Sequence, residues 1–339
     1  MAGRTWAAGY EALAYHGGAL DVAHRLCPDA PAPWVDLSTG INPHAYPLPD
    51  IALEVWTRLP DSDSLAGLEA VAASRYGAKP EAVVAGPGSQ ALIQTLARIA
   101  PKGAVAALGP TYRGHEEAFA AAGIRLLEAA SLDALAEVDV AIVVNPNNPD
   151  GRVASRIDLL DLHERLAPRG GWLIVDEAFA DFESRAESLA PVLPPKGTVA
   201  LRSFGKAYGL AGLRLGFAIA SPDIAEALRA ALGPWPVSGP AIAIGGQALA
   251  DPDWTAAISV RLGADAARLD ALLETSGWRT IGGTRLFRLA AKADADVVFR
   301  RLLAAGILCR PFAGAPDRLR FGIPAKETHW ERLSAALRG

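Results

Sequence analysis

The chain has 339 residues, of which 51% are hydrophobic and 21% are charged, and its formal net charge is −4. This composition is typical of a globular protein and excludes a largely disordered chain. The acidic balance argues against nucleic acid as the main partner, because phosphate binding requires a basic surface. The length predicts two domains, or one large domain with a smaller one.

The cysteines and apolar runs indicate the compartment, and the histidines bear on metal binding. Two cysteines, Cys27 and Cys309, cannot form a disulfide framework. We find neither a signal-peptide core nor a membrane-length apolar run, so a cytoplasmic protein without a membrane partner is expected. Six scattered histidines lack zinc-site spacing, and no metal is expected.

Short apolar segments alternate with helical ones from about residue 64 to residue 221. This alternation predicts buried, largely parallel strands and an α/β fold. The predicted helices are 64–77, 89–100, 112–123 and 156–167. The predicted strands are 82–86, 104–108, 138–144, 171–176, 198–203 and 213–220.

The pattern changes after about residue 222. Two long helices are predicted first, followed by strands in "WRTIGGTRLFRLA", "GILCRPF" and "RLRFGIP". We therefore predict a large domain over 46–221 and a small α+β domain over 222–339. Residues 1–45 are predicted to form an N-terminal arm that joins the small domain.

Polar or glycine-rich sequence follows several of the predicted strands, where ligands gather in such sheets. "GPGSQA" after the first strand opens a helix, and free N–H groups at a helix start bind phosphate. It also fits a dinucleotide pattern, but the next strand ends in "LGPTY" without the acidic residue that a dinucleotide site requires. This disfavours a nicotinamide dehydrogenase, and a glycine-rich connection without a ligand remains an alternative.

Three charged residues suggest one cofactor. Lys206 lies among small residues and can form a Schiff base with a carbonyl compound. Asp176 ends an apolar strand, and Arg214 in "LRLGFAIA" is predicted to lie in a strand, where it requires an anionic partner. Two of them have an ordinary alternative: Lys206 as a surface lysine in a loop, and Asp176 as a helix-capping or turn aspartate. Together with the phosphate-binding helix start they describe pyridoxal phosphate.

Three motifs in order, "NPNNPDG", "DEAF" and "SFGKAYGLAGLRLG", resemble the class I/II aminotransferase family of fold-type I pyridoxal-phosphate enzymes. The resemblance covers nearly the whole chain. It implies a PLP-dependent transferase fold of type I, with a mostly parallel seven-stranded sheet in the large domain. It also implies that Lys206 and Asp176 are catalytic, as the Schiff-base lysine and the partner of the pyridine nitrogen. The implied cofactor-binding residues are Gly88, Ser89, Gln90, Tyr112, Asn148, Asp176, Phe179, Ser203, Lys206 and Arg214.

Within that family the sequence is most similar to the threonine-phosphate decarboxylase branch of cobalamin biosynthesis. The segments that carry this similarity are "HGG" (16–18), "DLSTGINP" (36–43), and "GPTYRGH" with "RLRFGIP". The implied reaction is loss of CO2 from L-threonine O-3-phosphate, a phosphorylated amino acid. The implied substrate-binding residues are His16, Gly17, Gly40, Asn42, Asn148 and Arg320.

The sequence departs from the family pattern at two positions. The tyrosine of "DEAY" is Phe179 here, as is common in the decarboxylase branch. The family's "YP" motif, whose tyrosine often reaches the cofactor phosphate of the neighbouring subunit, reads Leu59-Pro60. The resemblance implies a homodimer with shared active sites.

Two alternative functions share much of this pattern. An aminotransferase of the histidinol-phosphate type would use every one of these cofactor residues and differ only in its substrate contacts. A non-catalytic, aminotransferase-like regulator would carry a DNA-binding domain in front. The 45 residues of the arm are too few for such a domain, so the regulator is disfavoured.

Overall fold

A computed structural model describes residues 10–183, 187–193 and 196–338. The chain folds as two compact units, Ala45–Ala256 and a smaller unit that combines the residues up to His44 with those from Ala257 on. The predicted boundary at 221/222 therefore differs from the observed one, because two helices after residue 221 pack on the larger unit. Residues 1–9 of the predicted arm and residue 339 lie outside the described residues.

The described part of the chain contains the following regular elements. The helices are α1 (Glu11–Tyr15), α2 (Leu20–Leu26), α3 (Leu53–Thr57), α4 (Ser62–Tyr76), α5 (Ser89–Ile99), α6 (Arg113–Ala121), α7 (Leu132–Leu135), α8 (Arg156–Leu166), α9 (Phe204–Ala207), α10 (Pro222–Leu232), α11 (Gly239–Leu249), α12 (Pro252–Thr275), α13 (Ala295–Ala304) and α14 (Glu327–Arg338). The strands are β1 (Val35–Asp36), β2 (Val83–Gly86), β3 (Val105–Leu108), β4 (Leu126–Ala129), β5 (Val140–Val144), β6 (Trp172–Asp176), β7 (Thr198–Arg202), β8 (Gly216–Ala220), β9 (Arg279–Thr284), β10 (Phe287–Ala291), β11 (Ile307–Leu308), β12 (Arg310–Pro311) and β13 (Arg318–Gly322). Among these helices we find none long and apolar enough to span a bilayer.

The larger unit is built on a seven-stranded sheet with the order β2-β8-β7-β6-β5-β3-β4. Neighbours from β7 to β4 pair in parallel, whereas β8 is antiparallel to both β7 and β2. Six strands therefore run in one direction and β8 alone runs in the other. This confirms the predicted α/β fold with a mostly parallel seven-stranded sheet.

The strands of this sheet are short and almost entirely buried, except β4. Burial on both faces explains their continuous apolar sequence, since helices cover each face of a parallel sheet. Strand β4 reads Leu-Leu-Glu-Ala at the edge, with two exposed residues. It was not predicted from the sequence, because an edge strand that is partly exposed lacks a continuous apolar run.

Helix α11 was also absent from the prediction. Its sequence, GPAIAIGGQAL, contains three glycines, and glycine disfavours a helix interior. The helix forms because it packs against α4 and the segment before β8: a Cβ at Gly245 would lie 3.3 Å from Leu68 on α4 and would overlap the side chain of Leu215. Close packing thus overrides local propensity at this element.

The smaller unit contains a four-stranded antiparallel sheet, β12-β13-β10-β9, and the parallel pair β1-β11. Its core includes Leu37, Trp278, Phe299, Phe321 and Trp330. Strand β1 comes from the N-terminal segment and pairs with β11 near the other end of the chain. The N-terminal segment is therefore part of the fold of the smaller unit.

Candidate active site

The direction of the strands collects the polar segments at one edge of the larger sheet. β2, β3, β5, β6 and β7 all end at this edge, because they run in the same direction. The reversed strand β8 begins there, and its first residue, Gly216, pairs with Gly86, the last residue of β2. The residues that follow these five strands, together with those just before β8, can therefore form one site.

Asp176 is the last residue of β6, and its side chain is almost completely buried. The His115 Nε2 atom lies 2.9 Å from its Oδ2 atom, and the backbone N–H of Ala178 donates to its Oδ1 atom. Burial alone would raise the pKa of Asp176. The hydrogen bond and charge of His115, together with the charge of Lys206, outweigh burial and lower that pKa. The carboxyl group is therefore anionic at neutral pH.

Lys206 lies on the single turn of α9, directly after β7. Its Nζ atom is 4.4 Å from the ring centroid of Phe179 and 5.8 Å from that of Tyr112. Phe179 follows β6 and Tyr112 follows β3, so three strand ends contribute to the surroundings of this amine. Aromatic faces stabilise a cation and exclude water, which holds the amine in a defined place.

An anion-binding feature lies at the start of α5. Gly88, the residue before this helix, has a φ of 90° and provides no side-chain cap, so the first N–H groups are available to a ligand. A Cβ at Gly88 would lie 2.7 Å from the Nη2 atom of Arg214, and a Cβ at Gly216 would lie 2.5 Å from the backbone nitrogen of Ser89. Both glycines keep the arginine and the helix start close together.

Arg214 does not lie in a strand, contrary to the prediction. It precedes β8 with a left-handed backbone (φ 54°), its side chain is exposed, and its Nη1 atom donates to the carbonyl of Ala211. The apolar run after Arg214 extended the predicted strand by three residues, from Gly216 back to Leu213. The shift places the guanidinium at the sheet edge rather than within the sheet.

The remaining predicted residues of the larger unit lie around the same edge. The Tyr112 hydroxyl donates to Gln90 Oε1 at 2.9 Å, which links the β3 end to α5. Asn148 is buried in the loop after β5, and Thr111 donates to the neighbouring Asn147 at 2.6 Å. Ser203 is buried between β7 and α9.

The other predicted substrate residues belong to the smaller unit, where several converge on Ser38. The Nη2 atom of Arg320 donates to the Ser38 carbonyl at 2.6 Å, and a Cβ at Gly17 would overlap that carbonyl. His16 precedes this glycine and contacts the ring of Tyr15.

Gly40 and Asn42 line a neighbouring cavity of about 230 Å³, whose wall includes His329. The Oδ1 atom of Asn42 accepts a hydrogen bond from the backbone N–H of His44. The structure thus brings Gly17 and Arg320 together at Ser38, with Gly40 and Asn42 in the adjacent loop.

Two candidate residues were missed by the sequence analysis. His115 is one turn after Tyr112 in α6; it ends the "GPTYRGH" segment that carries the family similarity, but that similarity assigns it no role. Arg310 lies directly opposite Arg320 in the pairing of β12 with β13, and both side chains are buried. The "CRPF" segment was predicted as part of a strand, and a strand prediction alone does not show which partner residue lies opposite.

A primary amine beside a buried carboxylate and an anion-binding helix start is typical of an enzyme with a phosphorylated carbonyl cofactor. The family model of aminotransferases of class I and II matches residues 33–336. The chain therefore belongs to that family, which confirms the resemblance seen in its motifs.

Relatives named threonine-phosphate decarboxylase match nearly the full chain. The Pseudomonas aeruginosa protein is 45% identical over 96% of this chain and 97% of its own length. The Sinorhizobium sp. protein is 41% identical over 95% of this chain and 97% of its own length. A histidinol-phosphate aminotransferase of Methylobacillus flagellatus is more distant, 29% identical over 84% of this chain and 81% of its own length.

Solved structures of both kinds share the fold. The histidinol-phosphate aminotransferase of Sinorhizobium meliloti, in complex with pyridoxal-5'-phosphate, has a TM-score of 0.80 and 22% identity, and the match covers 94% of this chain and 93% of that one. The L-threonine-O-3-phosphate decarboxylase of Porphyromonas gingivalis has a TM-score of 0.73 and 21% identity, and covers 89% of this chain and 98% of that one. The fold alone does not separate the two reactions.

Proposed function

We propose that the protein decarboxylates L-threonine O-3-phosphate to (R)-1-amino-2-propanol O-2-phosphate, with pyridoxal phosphate as cofactor, in cobalamin biosynthesis. The observation that carries this proposal is the 45% and 41% identity to two threonine-phosphate decarboxylases over nearly the whole of each chain. The aminotransferase alternative is disfavoured, since the histidinol-phosphate aminotransferase of Methylobacillus flagellatus reaches only 29%.

The residues at the sheet edge fit the cofactor group by group. Lys206 supplies a primary amine for an aldehyde, and Asp176 supplies an anionic carboxylate for a protonated ring nitrogen. The start of α5, with Ser203 and Arg214, provides N–H, hydroxyl and guanidinium donors for a phosphate. Tyr112 and Phe179 offer aromatic faces to a planar ring, and Asn148 offers an amide to its phenolic oxygen. The donor set thus matches all the polar groups of pyridoxal phosphate.

A bound pyridoxal phosphate would supply an electron sink for the electron pair that remains on the substrate when CO2 departs. The protein's own residues prepare this step. Asp176 would hold a proton on the ring nitrogen of a bound cofactor, because its lowered pKa maintains the negative charge that attracts that proton. His115 holds the carboxylate in one orientation through the 2.9 Å contact. Lys206 provides an amine that binds the cofactor and afterwards moves protons near it.

The arginine pair of the smaller unit supports a substrate with two anionic groups. Arg310 and Arg320 occupy opposite positions in adjacent strands, where two like charges repel each other. An anionic ligand would be attracted by both guanidinium groups, and a guanidinium group matches both carboxylate and phosphate. L-Threonine O-3-phosphate carries one of each. We therefore assign the two arginines to the recognition of its anionic groups.

The proposal includes a cytoplasmic homodimer. Support comes from four strongly exposed apolar side chains between residues 48 and 59: Leu48, Leu53, Trp56 and Leu59. Exposed apolar side chains concentrated in one segment are typical of a contact surface. A second copy of the chain would cover this segment.

The test combines a spectrum with a product assay. Purified protein loaded with pyridoxal phosphate should show a visible absorbance band that is absent in Lys206→Ala, and should release CO2 from L-threonine O-3-phosphate. A parallel assay with histidinol phosphate and 2-oxoglutarate should give no amino transfer. Amino transfer without CO2 release would refute the decarboxylase proposal, and a missing band would refute the cofactor assignment.

A further inference from the structure

A buried group of charged side chains lies at the ends of β6 and β7, one residue away from the candidate site. Glu177 directly follows Asp176, and Arg202 directly precedes Ser203. The Nη2 atom of Arg202 is 2.9 Å from Glu177 Oε2, and its Nη1 atom is 3.7 Å from Asp181 Oδ2. All three charged side chains are at most 6% exposed. We call Glu177, Asp181 and Arg202 the strand-end clamp.

The clamp joins two strands behind the candidate site. The N–H of Glu177 donates to the carbonyl of Leu201 at 3.0 Å, so the pairing of β6 with β7 continues to this residue. Successive side chains of an extended chain point to opposite faces. Asp176 accordingly contacts His115, whereas Glu177 contacts Arg202. The ion pair thus crosses between the two strands that lead to Asp176 and Lys206.

Further contacts fix the orientation of both partners. The Ser188 hydroxyl and the Leu189 N–H each donate to the Glu177 carboxylate at 2.7 Å. The guanidinium group of Arg202 lies 4.8 Å from the ring centroid of Tyr76 on α4. Glu177 and Arg202 are therefore each held by the opposite strand and by a second part of the unit. Such an arrangement leaves little freedom for the strand ends to shift.

A buried ion pair stabilises a fold poorly, because the loss of hydration offsets the attraction between the charges. Apolar side chains of similar size would provide comparable stability. The charged pair instead fixes the relative position of the two strand ends, because charge-assisted hydrogen bonds require defined positions of their atoms. We propose that the strand-end clamp is a positioning device that fixes Asp176 relative to Lys206. The proposed role of the clamp rests on the proposed function, because one cofactor must reach both groups.

The first test uses two conservative variants that keep the charges. Arg202→Lys loses the planar guanidinium group, and Glu177→Asp shortens the reach of the carboxylate. We expect kcat to fall by about ten- to a hundredfold, as for other misplaced reacting groups, with little change in KM. We also expect the pH midpoint of the visible absorbance of the pyridoxal-phosphate-loaded protein to shift. The matched control is Arg288→Lys, which alters a 2.7 Å contact with Asp270 in the smaller unit and should leave the spectrum unchanged.

The second test removes both charges of the Glu177–Arg202 pair together in Glu177→Gln/Arg202→Met, while Asp181 still faces the charge of Arg75. We expect a folded protein by circular dichroism that binds pyridoxal phosphate more weakly in a fluorescence titration. A double variant with native spectrum, affinity and kcat would overturn the proposal. Loss of folding in this variant, with Arg288→Lys intact, would also overturn it, since the role would then be structural.

These readouts separate the clamp from the reaction. The spectrum and the cofactor affinity report on the clamp whichever substrate the loaded protein accepts. CO2 release by the native protein tests the proposed function on its own. A native protein that binds the cofactor but releases no CO2 would refute the proposed decarboxylation. The spectra and cofactor affinities of the variants would still test the positioning role of the clamp. A native protein without any cofactor band would refute both.

Discussion

His115 is the side chain on which the charge of Asp176 depends. Because the folded-state pKa of Asp176 lies below its ordinary value of 3.8, the carboxylate contributes stability above that pH and loses it as the pH falls further. His115→Phe removes the hydrogen bond and the charge of His115, so that burial is opposed only by Lys206 and the Ala178 N–H and the pKa of Asp176 rises. We expect lower stability at neutral pH and a weaker decline in the free energy of unfolding between pH 5 and pH 3.

Urea unfolding at a series of pH values measures this effect. His24→Phe is a suitable control, because His24 is exposed on α2 in the smaller unit. If His115→Phe and the native protein had the same pH dependence, the stabilising role assigned to His115 would be wrong.

Arg320 is predicted to act on substrate binding rather than on the cofactor. Hydrogen bonds to charged groups contribute about 1.5–3 kcal/mol. The KM of Arg320→Gln for L-threonine O-3-phosphate should therefore rise by about ten- to a hundredfold, with an unchanged visible spectrum. Arg318→Gln is the control, since Arg318 lies on the same strand with an exposed side chain. Steady-state kinetics of both variants test this assignment. A KM of Arg320→Gln equal to that of the native protein would contradict it.

At the level of residues, the sequence identified groups whose chemistry is unusual for their surroundings. Lys206 and Asp176 are predicted as site residues because a charge among apolar or small residues must have a partner. His115 was missed, since its role depends on a contact 61 positions along the chain with Asp176. Arg310 was missed for a similar reason, because the sequence of one strand does not show which residue of the neighbouring strand lies opposite it.

The turn from Arg214 into β8 is predicted to control cofactor affinity. In Gly216→Ala, the new Cβ would lie 2.5 Å from the Ser89 nitrogen and 3.1 Å from the Arg202 carbonyl, so the backbone must shift. We expect the Kd for pyridoxal phosphate to rise at least about tenfold, the equivalent of ~1.4 kcal/mol. Gly212→Ala should bind normally, because its Cβ would meet no atom within 4 Å. If Gly216→Ala and the native protein bound pyridoxal phosphate equally well in a fluorescence titration, this prediction would be wrong.

Helix α11 offers two adjacent glycines with opposite expectations. A Cβ at Gly245 would overlap Leu215, and Gly245→Ala should lower the free energy of unfolding by about 1–3 kcal/mol through overpacking. A Cβ at Gly246 would meet nothing within 4 Å, and Gly246→Ala should raise it by about 0.5–1 kcal/mol. Chemical denaturation measures both. Stabilisation by Gly245→Ala would show that the helix does not require close approach there.

Elements with a strong local signal were predicted well. The helix that ends at Tyr76 is followed by Gly77 in a left-handed conformation, as its sequence indicated. The buried strands were found from their apolar runs. β4 and α11 escaped prediction, because the first lies half exposed at an edge and the second depends on packing against α4. The start of β8 was placed too early, since Leu213 and Leu215 continue its apolar pattern.

For the whole molecule, we predict a homodimer that requires the exposed segment between residues 48 and 59. Trp56 is 62% exposed, and Trp56→Glu would place a charge within the covered surface. Sedimentation velocity should show a dimer for the native protein and a monomer for this variant. Val260→Glu is the control, because Val260 is 75% exposed on α12 and should not affect assembly. A monomeric native protein would refute the homodimer.

The boundary between the two units lies further along the chain than the change in sequence pattern. A change in pattern after residue 222 marked the end of the strand–helix alternation. Helices α10 and α11 nevertheless pack on the sheet and on α4 of the larger unit, so that the observed boundary follows Ala256. Sequence pattern reports the type of element, whereas packing decides to which unit it belongs.

The reversed strand β8 has a consequence for the order of folding. Val83 in β2 pairs with Ile219 in β8, so these strands meet only after most of the larger unit has been synthesised. Contacts between distant segments form late, because the intervening chain must first be ordered. The start of α5 and Arg214 are brought together by this last pairing. A nascent chain that ends before β8 therefore lacks the proposed phosphate site, and cofactor capture would then report that the sheet is complete.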